Sequence, residues 1–118
     1  MIHKFDEHPT RADRALQIWL ILIGKAANRQ TITYGMIADL LGYAGAGTLA
    51  GMLAPVMYYC RDSSLPPLTC IVVNQDTGLP GDGIGIDPAE LNRVRESVYR
   101  YAWYGLVPPT VAELNAAG

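Results

Sequence analysis

Few side chains in this sequence are equipped for covalent chemistry. Two thiols, Cys60 and Cys70, and two imidazoles, His3 and His8, stand among 118 residues. A nucleophilic cysteine needs a base or cation beside it to lower its pKa. Cys70 sits in Leu68-Thr-Cys-Ile-Val-Val73 with no charged neighbour in the sequence, so it reads as a small buried hydrophobe. Cys60 precedes Arg61, but adjacency in sequence is weak support for activation, and it reads as an ordinary thiol. There is no C-x-x-C pair, and both histidines fall in the first eight residues, so neither a metal set nor a cofactor is expected. Gly81-Asp-Gly-Ile-Gly85 does not open a helix after a strand at the dinucleotide-binding spacing, so it is not read as a phosphate loop. By residue type and spacing alone, none of these side chains is assigned a reaction.

The elements that must position them follow from local signals. Residues 1–9 are polar, end in Pro9, and read as a flexible arm. Thr10 caps a helix over residues 11–27, with Asp13 as its first-turn acid. Leu16, Trp19, Leu20, Ile23 and Ala27 recur at steps of three and four and predict its buried face, with Asn28 as the left-handed stop. Thr31-Ile-Thr33 is an extended link, and Thr33 caps a second helix over residues 34–41 that buries Ile37, Ala38 and Leu41 and stops at Gly42. A third helix is predicted over residues 46–59, kinked or ended by Pro55. The spacing of the second and third helices is that of a helix-turn-helix. Residues 61–67 read as a polar loop. Residues 68–73 read as a buried strand, since the run is continuous and β-branched. Asn74 and Asp76 are turn formers ahead of Gly78, and residues 79–86 read as an irregular loop. Asp87-Pro-Ala-Glu90 opens a last helix that buries Leu91, Val94, Val98 and Tyr101 and runs to Tyr104. Tyr99, Trp103 and Tyr104 read as core with one exposed. Arg93, Arg95 and Arg100, interleaved with Glu90 and Glu96, predict a solvated charged face. Residues 109–118 read as a tail.

Composition narrows the class. Half of the residues are hydrophobic and 17% are charged, which suits one globular domain with one core. Nine basic residues against eleven acidic ones exclude a protein held to nucleic acid by bulk charge, though not one with a small local basic patch. The longest apolar run, residues 18–24, is too short to cross a bilayer, so no membrane partner is expected. The first residues do not read as a signal peptide, which makes the cytoplasm the expected compartment.

The order of these elements resembles a known family. Gln17-Ile-Trp19 followed by Thr31-Ile-Thr-Tyr-Gly-Met-Ile-Ala-Asp-Leu-Leu-Gly42 is similar to the C-terminal domain of the alkylguanine-DNA alkyltransferases and of their non-enzymatic relatives, the alkyltransferase-like proteins. Ile71-Val-Val-Asn74 with Thr77-Gly78 resembles the family's Arg-Val-Val-Asn and glycine turn, and Tyr104-Gly-Leu106 its Glu-Gly-Val ending. The resemblance covers roughly residues 11–108. It implies a mainly α, winged helix-turn-helix fold with a small β element, and a recognition helix laid in the minor groove of DNA, where small residues permit close approach.

The same alignment removes the family's chemistry. Its Pro-Cys-His-Arg falls on Leu68, Thr69, Cys70 and Ile71, so the alkyl-accepting thiol is replaced by Thr69 and the activating histidine by Cys70. Gly47 falls where the family's arginine fills the space of a flipped base. No Lys or Arg occurs in the third helix before Arg61. The resemblance therefore implies a non-enzymatic DNA-binding protein, related to DNA repair but catalytically inactive. It would contact double-stranded DNA weakly through Tyr34, Gly45, Gly47, Thr48, Gly51 and Arg61, with Thr69, Cys70 and Asn74 about the remnant of the base pocket; for Tyr34 a plain amphipathic surface tyrosine is an equal expectation. Close helix packing is the first expectation for the small residues and a groove-binding face the second. The alternative function is a winged-helix module that has lost DNA and binds a protein partner or itself, which the acidic balance favours.

Overall fold

The computed structural model describes residues 1–81 and 86–118. Among these the chain is mainly helical, with a two-stranded sheet. Helix α1 (Arg11–Ala27) opens on a reciprocal cap: the Thr10 hydroxyl accepts from the Asp13 N–H, and the Asp13 carboxylate accepts from the Thr10 N–H. It buries Ala12, Ala15, Ile18, Trp19, Leu22, Ile23 and Ala26. This arc is broader than the predicted face and displaced from it. It is broad because α1 is the central helix and is packed by several elements at once, and its displacement leaves Leu20 and Ala27 exposed. The left-handed residue at its end is Arg29 rather than Asn28. Two bonds close the turn there, Arg29 N–H to the Ala26 carbonyl and Gln30 N–H to the Lys25 carbonyl, both 3.0 Å.

Strand β1 (Ile32–Thr33) leads directly into α2 (Tyr34–Leu41), capped by Thr33 as expected. Gly42 ends α2 at φ 82°. Helix α3 (Leu49–Asp62) starts three residues later than predicted and passes through Pro55 without ending, taking in Arg61, which was expected in a loop. Pro55 has no N–H for the Gly51 carbonyl one turn back. That carbonyl accepts instead from Arg11 Nε of α1, which compensates for the missing helical bond.

Residues 68–73 are buried as predicted but form only a two-residue strand. Leu68–Ile71 curls into a 3-10 turn, and β2 (Val72–Val73) pairs in parallel with β1, Ile32 opposite Val72 and Thr33 opposite Val73. The reason lies before β1: in this parallel register residues 68–71 would pair with residues 28–31, and residues 28–30 are the turn that closes α1, so the sheet has no strand to offer them. After β2, the Asn74 carboxamide accepts from the Asp76 N–H, and Gly78 takes φ 68°. Of the loop predicted over residues 79–86, and of the stretch Gly81–Gly85, residues 82–85 lie outside the described residues.

Asp87 caps a 3-10 turn (Pro88–Glu90) that leads into α4 (Leu91–Arg100). Helix α4 is shorter than predicted and buries Leu91 and Val98, with Val94 and Tyr101 only half-buried. Tyr101 turns extended, and Trp103 swings back so that its indole N–H donates to the Val98 carbonyl at 2.7 Å. That carbonyl is one of the last four of the helix and has no helical donor. Trp103 meets Trp19 edge-on, while Tyr104 is exposed.

The predicted tail contains a further helix. Thr110 and Glu113 form a capping box for α5 (Val111–Ala116), and Leu114 is fully buried against α1 and α3. No helix among the described residues is long and apolar enough to cross a membrane.

Candidate nucleic-acid interface

The small residues around the start of α3 face outward. Leu49, Leu53 and Val56 carry its inner side. Gly45, Gly47 and Gly51 are exposed, and a methyl group added to any of them would meet no atom within 4 Å. The expectation of close helix packing is thereby overturned for these glycines: the packing role belongs to Ala38, which is buried on α2. Thr48 precedes α3, is exposed, and makes no side-chain cap bond. The stretch therefore forms a smooth outer surface with accessible backbone. Met36 and Leu40 of α2 are exposed apolar side chains.

Tyr34 begins α2 and is half-buried. Its hydroxyl oxygen accepts from the Gly81 N–H at 3.0 Å, tying the loop after β2 to the start of α2. A Cβ at residue 81 would lie 2.5 Å from that oxygen, so a larger residue there would displace the tyrosine hydroxyl.

The cations are mostly occupied within the fold. Arg61 lies in the last turn of α3, paired with Asp62 at 2.9 Å and stacked on Tyr58. Arg29 pairs with Glu96 and covers Tyr99. Through that hydrogen bond the guanidinium is held above its ordinary pKa and the Glu96 carboxyl below its own. Arg93 pairs with Glu90, and Arg100 with Glu96. Arg95 departs from the predicted solvated face: it donates to the Gly78 carbonyl at 2.9 Å and to the Cys70 carbonyl at 3.4 Å. Arg14 is half-buried, donates to the Leu41 carbonyl and stacks on Tyr43. Arg11 reaches the Gly51 carbonyl.

Arg11 and Arg14 thus flank the turn between α2 and α3. The sequence reading missed both, and no local signal could have supplied them: their partners Gly51 and Leu41 lie 40 and 27 residues away.

The residues aligned with the family's reactive site do not gather around an open pocket. Thr69 is 1% exposed and Cys70 fully buried. Asn74 is exposed and spends its side chain on its own turn. The Thr69 hydroxyl oxygen has no hydrogen-bond partner among the described residues. Burial pushes the Cys70 thiol up to about 12, against a smaller opposing effect of the Arg95 charge, a cation that sequence adjacency could not reveal. Burial likewise raises Cys60 to about 11. Both thiols are therefore protonated and weakly nucleophilic near neutral pH. Among the described residues no three of His, Cys, Asp and Glu converge as metal ligands. Compared with known protein families, curated proteins and solved structures, the chain matches none.

Proposed function

We propose that this chain is a non-enzymatic, alkyltransferase-like DNA-binding module of the winged helix-turn-helix kind. It lays the surface of residues 45–51 into a groove of double-stranded DNA. The observation that carries this reading is the open space over Gly45, Gly47 and Gly51, where a groove wall can approach the backbone. Thr48 adds an exposed hydroxyl. Alkyl transfer is not part of the function, because Thr69 stands at the acceptor position and Cys70 is buried and protonated. With most arginines bound to carboxylates or carbonyls, binding is weak and rests on few phosphates.

Titration of a labelled duplex across a salt series tests this. About two to four phosphate contacts give a shallow dependence, each contributing about −0.9 to the slope of log K against log salt. A bulky side chain at Gly47 blocks approach and abolishes binding without unfolding the domain. Incubation with duplex carrying alkylated guanine leaves the intact mass unchanged; an added alkyl group on Cys70 overturns the non-enzymatic reading.

One observation favours a second reading, a module that binds a protein or itself: Met36 and Leu40 are 48% and 64% exposed on α2. Absence of DNA binding even at low salt makes this the better account.

A further inference from the structure

Resting on the DNA-binding reading, we infer that Arg11 is a phosphate ligand of the interface, brought to it by Pro55. Arg11 is exposed at the first position of α1, where a positive charge opposes the helix dipole and does nothing for that helix. Its Nε–H is fixed on the Gly51 carbonyl, which is free because Pro55 lacks the amide hydrogen that would otherwise occupy it. The guanidinium is thereby held beside Gly51, at the edge of the exposed surface of α3. Nη1 and Nη2 make no hydrogen bond, and no carboxylate lies within ion-pair distance of Arg11, among the described residues.

The other arginines are less suited. Arg29, Arg61, Arg93 and Arg100 face carboxylates, Arg95 is spent on two carbonyls, and Arg14 is half-buried under Tyr43. A planar guanidinium that donates through Nε keeps its terminal N–H groups for a phosphodiester oxygen. The ligand class is the duplex DNA backbone, and the contact positions α3 without reading sequence.

The experiment is a salt titration of a short fluorescein-labelled duplex with the unmutated chain, Arg11→Gln, and Arg11→Gln combined with Pro55→Ala, with thermal midpoints measured alongside. Gln keeps a donor for the Gly51 carbonyl but removes the charge. Pro55→Ala returns an amide hydrogen to that carbonyl, so the double variant keeps α3 continuous if the single one loosens it. The expected result is a slope shallower by about 0.9 in both variants, with affinity reduced at every salt concentration. Binding by Arg11→Gln with the unmutated slope overturns the inference while the DNA-binding reading stands. A slope restored by the added Pro55→Ala also overturns it, because Arg11 would then act only through the shape of α3. No binding by the unmutated chain at low salt overturns the DNA-binding reading and this inference with it.

Discussion

Residues 68–73 lie sealed against α1, α3 and α4, whereas Gly45, Gly47 and Gly51 open onto solvent. The two stretches thus differ in what the rest of the molecule does with them. In the sealed stretch even the polar side chain of Thr69 and the thiol of Cys70 are buried as core. In the open stretch each glycine has room for a side chain that the fold does not use. Packing therefore accounts for the residues of the first stretch and leaves those of the second unexplained.

The contrast can be broken most sharply at Cys70. With its pKa at about 12, the thiolate fraction near neutral pH falls roughly a thousandfold. Labelling of Cys70 by a maleimide should therefore be about a thousandfold slower in the folded chain than in urea, read by peptide mass so that Cys60 is counted separately. Comparable rates would show that the stretch is not sealed.

Next in size is Ile71→Ala. Ile71 is fully buried, and truncation should cost about 2–5 kcal/mol in urea denaturation. A cost below 1 kcal/mol would mean that the core closes without this residue. Thr69→Val is expected to act in the opposite direction. It replaces a buried, unpartnered hydroxyl with a methyl group and should stabilise by about 1 kcal/mol. Destabilisation would reveal a partner for that hydroxyl. The smallest effect belongs to the open stretch: Gly47→Ala should change stability by no more than about 0.5 kcal/mol, since nothing lies near the added methyl. A larger loss would close the gap between the two regions.

Local chemistry was legible in the sequence. The caps at Thr10, Thr33 and Asp87 and the stop at Gly42 stand where expected, because a cap is a bond between residues two or three apart. Burial of residues 68–73 was equally readable from their unbroken apolar character. The Thr110–Glu113 box of α5 obeys the same rule, within residues whose composition otherwise reads as a tail.

Tertiary structure decided the rest. That residues 68–71 form a 3-10 turn depends on the absence of a strand partner, and the carbonyl that Pro55 leaves without a helical donor is met by an arginine 44 positions before that proline. Which side of the small-residue stretch is covered, and whether an arginine is spent or available, depend on elements 27 to 67 residues apart. Sequence spacing fixes only short-range bonds; the partners of charged groups and the exposure of a face are set when distant helices close around α1.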